Sequence, residues 1–380
     1  MPRSLHFSYR KISGLCILCF LFLGLISVAT PVSFAATSIH VVKTIIVGSK
    51  PEFLVYDPIN KCIYSANHGS SSVSVINTTT NSVIATVMLG SNAAPYDIEY
   101  DPANNAIFVA DQKSNSVSII SGSTNKLMTT VPVGSDPRFL LFNPSNNEMY
   151  VSDNGSASVS AISSSSNKVV ATIAVGTSPH YLEFDPDTNN IYVSNLGSAS
   201  VSVISGTSNT VLATIPTGDR PYFLRYNPFN KDLYLTLYGS DAVNVINPAT
   251  NKIITSITIG SLAYYELFDP VTNNMYVTRY GAMSVTAISS STNAAITIGS
   301  GANGHQAPQG QHFLEFNPVN NDVYASNIFN KTVTIISGSS NKMIANITVG
   351  TGPRYAEFDA SNSEVYVANW DSGTVSAISS

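Results

Sequence analysis

One stretch of the sequence, residues 180–216, reads HYLEFDPDTNNIYVSNLGSASVSVISGTSNTVLATIP. It contains four short runs rich in β-branched and aromatic residues, separated by Gly, Pro, Asn and Ser, with no helical period between them. Such runs predict β-strands. In the first turn Pro186 presets φ for a type I turn, and the asparagines that follow tolerate the left-handed conformation. The stretch therefore predicts a four-stranded antiparallel unit.

The same unit recurs along the chain. Its Asp/Asn-Pro dipeptide, called the anchor, is spaced by 42 residues in most repeats and by 44 and 48 in two. The anchors begin at Asp57, Asp101, Asn143, Asp185, Asn227, Asp269 and Asn317, with Asp359-Ala360 as a degenerate eighth copy. Each is followed by an IYVSN-type run and an alternating SVSVI-type run. Four-stranded units at this period predict an all-β, eight-bladed β-propeller of four-stranded antiparallel blades, with seven blades as the alternative.

The two ends of the repeat region predict how the ring closes. Residues 41–48, VVKTIIVG, look like the fourth strand of a unit, yet no unit precedes them, and the eighth unit stops at Ser380 after its third strand. Pairing the first strand with the last completes the eighth blade and removes two free sheet edges. Residues 37–380 are therefore expected to form a single propeller domain of eight repeats of about 42 residues.

The repeat resembles a known family, the YVTN-type β-propeller proteins of archaeal and bacterial cell surfaces, which are related to NHL-like and surface-layer propellers. The matching motif is YVSN or YVAN, a small-residue turn, SVSVI, an Asn-centred turn and ATI-x-VG-x-x-P, and it covers residues 41–380. The resemblance implies a propeller with an extracellular binding or surface role, and it implies almost nothing about activity.

The first 36 residues are interpreted as an export signal. A basic start, MPRSLHFSYRK, precedes an apolar stretch from Ile12 to Ala29 and then small residues suited to cleavage. The protein is therefore expected to be secreted, at the cell surface or in the periplasm. An uncleaved membrane anchor is the alternative, because the apolar stretch is about as long as a short membrane span. After cleavage Cys62 is the one remaining cysteine, so no internal disulfide is expected.

The charge of the chain restricts its partners. Only 11% of the residues are charged, and without the leader there are 15 basic and 23 acidic residues, a net charge of −8. No basic run follows position 11, which excludes nucleic acid as an expected partner. The expected partners are an extracellular protein, peptide or glycan, and a membrane only if the N-terminal segment is retained as an anchor.

Candidate binding residues occupy two positions of the repeat at which the residue type differs from one unit to the next. These positions lie five residues before and eleven residues after each anchor, where the loops of a propeller converge on one face. The ligand-binding candidates are Arg138, His180, Tyr222, Tyr264, His312, Arg354, Tyr238, Tyr280 and Trp370. Their rings are suited to stacking on a flat partner, while the arginines hold an acidic group. Alternatively, the rings pack against neighbouring blades and Arg354 pairs with Glu52 across the closed ring.

Charged residues two before the anchor are predicted to face the channel and to bind a cation or water, or simply to be hydrated. They are Glu99, Glu183, Arg225, Glu315 and Glu357. The five histidines after the leader show no metal-ligand spacing, so no metal and no cofactor are expected. Four N-glycosylation sequons begin at Asn77, Asn154, Asn330 and Asn346.

The leading functional hypothesis is an exported, non-catalytic recognition or scaffold module without catalytic residues. The alternative is an extracellular lyase or hydrolase, because streptogramin-lyase and lactonase propellers have a similar architecture. That activity would rest on His180, His312 and the channel glutamates. A His and a Glu within hydrogen-bond reach over one pocket favour the enzyme, whereas a rim of Tyr and Arg without such a pair favours binding.

Overall fold

The described residues of the protein form strands, turns and loops. The structure is a computed structural model that describes residues 39–260, 262–280, 284–299 and 310–380. The predicted export signal at residues 1–36 lies outside these ranges. Within them, no helix is long and apolar enough to cross a membrane.

The chain has thirty-two strands in these ranges. The first sixteen are β1 Val41–Ile46, β2 Pro51–Asp57, β3 Cys62–Asn67, β4 Ser72–Asn77, β5 Ser82–Met88, β6 Pro95–Asp101, β7 Ala106–Asp111, β8 Ser116–Ser121, β9 Lys126–Pro132, β10 Pro137–Asn143, β11 Glu148–Asp153, β12 Ser158–Ser163, β13 Lys168–Ala174, β14 Pro179–Asp185, β15 Asn190–Asn195 and β16 Ser200–Ser205. The others are β17 Val211–Pro216, β18 Pro221–Tyr226, β19 Leu233–Leu237, β20 Ala242–Asn247, β21 Lys252–Thr258, β22 Ala263–Asp269, β23 Asn274–Arg279, β24 Ser284–Ser289, β25 Ala295–Gly299, β26 Gln311–Asn317, β27 Asp322–Asn327, β28 Thr332–Ser337, β29 Lys342–Thr348, β30 Pro353–Asp359, β31 Glu364–Asn369 and β32 Thr374–Ile378.

These strands form eight four-stranded antiparallel sheets, numbered here as blades 1 to 8 in chain order from β2. In blades 1 to 7 four consecutive strands run from the innermost to the outermost. Blade 8 has the order β30-β31-β32-β1, with Val41 opposite Ile378 and Ile46 opposite Thr374. The eight-bladed fold and its closure by the N-terminal strand are thus confirmed, and the seven-bladed alternative is wrong.

Each blade presents its connections on two opposite faces. The loops between blades and the turns between second and third strands share the loop face, where the backbone N–H of Trp370 donates to the carbonyl of Gly352 at 2.9 Å. The Asp-Pro turns and the outer turns, which join third to fourth strands, share the turn face. The Asp57 carboxylate accepts from the N–H of Ile59 at 2.9 Å, and Lys61 has a φ of 52°. In the turn of blade 4 the Asp185 carboxylate accepts from the N–H of Asp187 at 3.0 Å and Asn189 has a φ of 58°, so the predicted left-handed asparagine is confirmed.

A buried tyrosine of the IYVSN motif connects six of the eight blades to the next. Seven blades have Tyr at this position and blade 2 has Phe108, all fully buried. The Tyr192 hydroxyl donates to Oδ1 of Asn251 at 3.0 Å, in the outer turn of the following blade. Tyr366 makes the same bond to Asn81, at 2.5 Å, across the seam between blades 8 and 1. The tyrosine and the outer-turn asparagine of the repeat are therefore partners.

The last residue of the same motif acts within its own blade. The Asn67 amide donates to Ser72 and Ser74 at 3.2 and 3.0 Å. Blades 2 and 3 have an aspartate there instead, and Asp111 accepts from Ser118 at 2.6 Å. Burial raises the pKa of Asp111 to about 7, and that of Asp153 in blade 3 to about 6, while the serine hydroxyls act in the opposite direction.

The closing strand is expected to be required for stability. Deleting residues 37–48 removes the outer strand of blade 8 and exposes the edge of β32, so the free energy of unfolding should fall by several kcal/mol out of the roughly 5–15 typical of a domain. Thermal and denaturant unfolding measure the change. A melting temperature equal to that of the intact chain would contradict the closure.

The substitution Asp111→Asn is expected to stabilise the protein at neutral pH. In the folded protein the pKa of Asp111 is about 7, whereas in the unfolded chain it is near the ordinary 3.8. Between these two pH values the folded carboxyl keeps a proton that the unfolded one has lost. The free energy of unfolding therefore decreases as the pH rises from about 3.8 to about 7. Asparagine removes that cost, which is on the order of 2 kcal/mol. Urea unfolding should show the gain at about pH 7 and little at about pH 4.

The matched control is Asn67→Asp, the reverse change at the equivalent position of blade 1. It should destabilise the protein at neutral pH and much less in acid. If neither substitution changes the free energy of unfolding, burial of this carboxyl carries no cost.

Candidate binding site on the loop face

Four phenylalanine rings occupy the central axis. Phe53, Phe139, Phe223 and Phe313 come from blades 1, 3, 5 and 7, and each is at most 4% exposed. Neighbouring ring centroids are 5.2 to 5.9 Å apart and meet edge to face, with interplanar angles of 77° to 89°. Edge-to-face contact is the favoured geometry for aromatic pairs. This set, called the phenyl plug, fills the axis, and the loop-face surface around it is called the bowl.

Above the plug lies a continuous row of rings, called the aromatic arc. His180 and Tyr222 have centroids 4.1 Å apart, Tyr222 and Tyr264 are 4.9 Å apart, and Tyr264 and His312 are 4.6 Å apart. Tyr238 extends the arc 5.5 Å from Tyr222, and Tyr280 lies 5.7 Å from Tyr264. Six of the nine candidate residues are therefore brought together, on blades 4 to 7.

The two histidines of the arc are buried and neutral. Burial lowers the pKa of both His180 and His312 to about 3, with further lowering by Arg138 and Arg354 respectively. Nε2 of His312 bonds to the Tyr264 hydroxyl at 2.8 Å. Nδ1 of His312 and both ring nitrogens of His180 have no hydrogen-bond partner among the described residues. These nitrogens are buried, so a ligand would reach them only if the surrounding rings moved.

A second group, called the cationic stack, lies at the seam between blades 8 and 1. Arg354 forms an ion pair with the buried Glu52, and its guanidinium carbon is 3.9 Å from the centroid of the Trp370 ring. Lys50 approaches the same ring at 5.4 Å, and the centroid of His68 is also 5.4 Å away. The alternative considered from the sequence, in which Glu52 pairs with Arg354 across the closed ring, is therefore the arrangement in the structure.

Arg138 stands at the other end of the arc, on blade 3. Its Nε and Nη2 both donate to Oδ2 of Asp136 at 3.2 Å. Its guanidinium carbon lies 5.7 Å from the ring centroid of Tyr96. Arg138 thus contacts residues of blades 2 and 3, and it reaches the arc electrostatically through its effect on the pKa of His180.

The channel glutamates connect blades. Carboxylates of Glu183, Glu315 and Glu357 each accept a backbone N–H from the innermost strand of the next blade, at 3.2 Å. Arg225 pairs with Glu183 at 3.7 Å and donates to the Tyr265 hydroxyl at 3.2 Å. Within the described residues no group of three or more His, Cys, Asp or Glu side chains is placed to hold a metal ion. Interblade hydrogen bonding therefore occupies one carboxylate oxygen each of Glu183, Glu315 and Glu357.

Two features were missed from the sequence. The phenyl plug has a signal, because the position four before the anchor alternates between Phe in odd blades and Tyr or Asp in even ones. The second is Glu266, which is 1% exposed and has both carboxylate oxygens without a hydrogen-bond partner among the described residues. Burial raises its pKa well above the ordinary value. The sequence does contain a signal for it. Three residues before the anchor, most other blades have a branched apolar residue, whereas blade 6 has Glu266 there and Leu267 after it.

The sequons lie at different depths. Asn330 and Asn346 are exposed. The Asn77 side chain accepts from the N–H groups of Thr79 and Thr80, and the Asn154 amide donates to the Pro179 carbonyl at 3.1 Å. Glycosylation at these four positions stays a prediction.

The eight blades, the closing strand and the plugged axis define the protein as a closed β-propeller with a bowl on one face. Residues 94–363 match the family model of the YNCE-like beta-propeller, so the chain belongs to the YNCE-like β-propeller family. No curated protein matches the chain.

Solved structures with a similar fold have varied functions. Hydrazine synthase of Kuenenia stuttgartiensis is 19% identical with a TM-score of 0.64, covering 77% of this chain and 97% of that one. Dihydro-heme d1 dehydrogenase NirN is 12% identical with a TM-score of 0.65, covering 79% and 66%. Virginiamycin B lyase from Staphylococcus aureus is 13% identical with a TM-score of 0.61, covering 77% and 96%. At these identities the similarity shows the fold alone.

Neither His180 nor His312 is expected to titrate between about pH 5 and pH 8, because both folded pKa values lie far below the ordinary range. In the unfolded chain both histidines have pKa values near the ordinary 6.5. Below that pH the unfolded chain binds protons that the folded protein does not, so the free energy of unfolding decreases as the pH falls. Histidine-selective NMR, assigned with His180→Gln and His312→Gln, measures the titration. A midpoint near 6.5 for either ring would contradict its burial in the neutral form.

Proposed function

We propose that the protein is an exported, non-catalytic recognition module that binds an extracellular peptide or glycan in the loop-face bowl. The observation that carries the proposal is the aromatic arc, a continuous row of rings contributed by four neighbouring blades on one face. The backbone structure of the repeat does not require large rings at these positions. Large rings are, however, common in ligand-binding sites.

The arc and its flanking cations supply complementary contacts. Tyr222, Tyr238 and Tyr280 are each partly exposed and offer ring faces to a flat ligand. Arg138 and Trp370 mark the two ends of the bowl, where an acidic group and a second ring face are accommodated.

The surface location rests on separate support. The leader-like residues 1–36 and the resemblance to YVTN-type surface propellers both favour export. The low share of charged residues and the absence of a basic run in the sequence favour a peptide or glycan over nucleic acid. Membership of the YNCE-like family supports the propeller scaffold on which this role is placed.

The competing enzymatic function has less support. A lyase or hydrolase needs a proton-transfer pair, yet in this bowl His312 bonds to Tyr264 and Glu52 pairs with Arg354. Imidazoles with a pKa of about 3 are poor general bases at neutral pH. The virginiamycin B lyase structure shares the fold at 13% identity, which brings no catalytic residue to this chain.

A rim variant combining Tyr222→Ala, Tyr238→Ala and Tyr280→Ala is expected to bind its ligand at least about tenfold more weakly, because stacked rings contribute on the order of 1 kcal/mol each. Glycan and peptide arrays probed with labelled protein identify the ligand, and calorimetry measures its affinity. Arg354 is left intact because its removal would strand the buried Glu52 charge.

The matched control truncates three side chains on the turn face, Tyr100→Ala, Phe229→Ala and Val271→Ala. This variant should bind as the wild type does. Loss of binding in the control, or full binding by the rim variant, would show that the ligand occupies another face. Conversion of the bound ligand to a new product, detected by mass spectrometry, would contradict the non-catalytic role.

A further inference from the structure

We propose that Arg279 binds the anionic group of the loop-face ligand, and that this ligand is an acidic glycan. The inference rests on the function proposed above, to which it adds the class of the ligand and a residue that was not among the candidates. Three observations carry it. They are the place of Arg279 in the repeat, the lack of a carboxylate partner among the described residues, and the ring faces beside it.

Arg279 stands at a position where most blades have a small polar residue. The position lies ten residues after the anchor, at the loop-face end of the second strand. In blade 4 the Asn195 amide donates to the hydroxyls of Ser200 and Ser202, five and seven residues further on. Six blades have such a residue, each at most 1% exposed: Asn67, Asp111, Asp153, Asn195, Asn327 and Asn369. Arg279 therefore replaces a compact, hydrogen-bonded group by a long, charged one.

This replacement leaves the hydrogen bonding of blade 6 incomplete. Nη1 of the arginine donates to the Ser284 hydroxyl at 3.1 Å, but Oγ1 of Thr286 is buried with no hydrogen-bond partner among the described residues. Blade 5 has also lost the asparagine, to Leu237, and there the first hydroxyl residue is replaced by Ala242. Blade 6 keeps both hydroxyl residues. Because a buried hydroxyl without a partner lowers stability, the stability of the blade does not explain Arg279.

The guanidinium of Arg279 has no carboxylate partner among the described residues, which include all 23 acidic residues of the chain. The other half-buried arginines, Arg138, Arg225 and Arg354, each pair with a carboxylate. Nε of Arg279 is buried, whereas Nη2 is not fully buried, and neither has a hydrogen-bond partner in the described part of the chain. In Arg138 these two atoms hold Asp136. An external anion at Nη2 therefore supplies the missing opposite charge.

The surroundings of Nη2 contain little to compete with such an anion. A Cβ at Gly260, in the loop between blades 5 and 6, would lie 2.4 Å from Nη2, so a side chain there would cover the guanidinium. Asp241 of blade 5 accepts the N–H of Leu262 on this loop at 2.8 Å and forms no ion pair with Arg279. The loop-face segments of blades 6 and 7 contain Arg279 and Lys331 but no Asp or Glu, in residues 259–264, 279–284, 299–312 and 327–332.

Ring faces stand next to this charge. Tyr280 follows Arg279 directly, so their Cα atoms are about 3.8 Å apart. The ring centroid of Tyr280 is 5.7 Å from that of Tyr264 and 6.3 Å from that of Phe329, which is 60% exposed. A charged group and a surface for stacking are thus neighbours at one end of the aromatic arc.

An acidic sugar has the matching arrangement. In a uronic acid the carboxylate is attached directly to the pyranose, so one compact group presents a charge and a ring face together. The guanidinium of arginine is suited to bind a carboxylate. An acidic peptide has its carboxylate on a flexible stem and needs a second side chain to cover a ring, so more conformational entropy is lost when it binds. The arrangement therefore favours an acidic glycan over an acidic peptide.

The first test measures an anion at Arg279 directly. The probe is sodium D-glucuronate, and D-glucose with an equal concentration of sodium chloride is its uncharged match. NMR follows the Nε–H signals of the arginines, assigned with Arg279→Asn. The Arg279 signal should shift saturably with glucuronate only, and more than the signals of Arg138 and Arg354, which have carboxylate partners. No shift at Arg279, or an equal shift with glucose and salt, would overturn the anion site.

The second test determines whether the ligand needs this charge. Arrays contain acidic oligosaccharides, the methyl esters of the same oligosaccharides, and acidic peptides. The wild type should prefer the acids to their esters at least about tenfold, because a charge-assisted hydrogen bond is lost in the ester. Arg279→Asn should remove this preference and Arg279→Lys should retain part of it. The matched control is Arg220→Gln, which removes an exposed arginine from the loop before blade 5 and should bind like the wild type.

The outcomes separate this inference from the function on which it rests. Equal binding of acids and esters, or an unchanged preference in Arg279→Asn, would overturn the role of Arg279 while leaving a ligand in the bowl. A preference for acidic peptides over acidic glycans would overturn the ligand class. If the wild type bound no member of the array, the proposed function and the ligand class would both be wrong, and the titration would still decide whether Arg279 binds an anion.

Thermal stability separates a binding residue from a structural one. Arg279→Asn restores the residue type of the other blades and gives the Thr286 hydroxyl a partner, so the melting temperature should equal or exceed that of the wild type. This variant is therefore expected to fold, and its loss of binding is then due to the missing charge. A melting temperature lower by several degrees would show that Arg279 stabilises the fold, and it would contradict the assignment.

Discussion

The hydroxyl of the buried motif tyrosine is the main constraint on how neighbouring blades pack, and it acts in six of the eight blades. A hydroxyl in an apolar core costs free energy unless it finds a hydrogen-bond partner. In this fold the partner belongs to the next blade, as Tyr192 and Asn251 show. That asparagine has a φ of 53°, a conformation that asparagine tolerates better than most residues. The tyrosine therefore demands both a particular outer turn and a neighbouring blade at a particular height, and the repeat keeps both.

The same dependence explains where the repeat is free to vary. The motif residues of the strands and outer turns form hydrogen bonds to another strand or to another blade. The same residue types therefore recur in most blades. The loop-face positions also have a backbone role, since the N–H groups of Tyr238 and Trp370 donate to the loops before their blades. That role leaves the side chain unspecified. Differences between blades at these positions therefore reflect contacts made above the ring, as the aromatic arc does.

The fold was readable from the sequence because its signal is repeated and its turns depend on local chemistry. The clustering of His180, Tyr222, Tyr264 and His312 followed from their shared distance to the anchor. The interblade bonds of the channel glutamates were not predicted, because each joins a carboxylate to a backbone N–H more than forty residues away in the sequence. The burial of Glu266 was not predicted either, since it depends on how neighbouring blades pack and not on a local motif.

The phenyl plug divides the molecule into two ends with different physical chemistry. On the loop side, burial keeps His180 and His312 neutral, so a ligand at the proposed site would meet uncharged rings. On the turn side, the Asp-Pro and outer turns hold six exposed lysines among ten carboxylates. Because the closed rings of the plug occupy the axis between them, the two ends do not share a channel through Phe53 and its neighbours. Salt should therefore have little effect on contacts with the aromatic arc, because screening acts on charges and neither imidazole of the arc carries one.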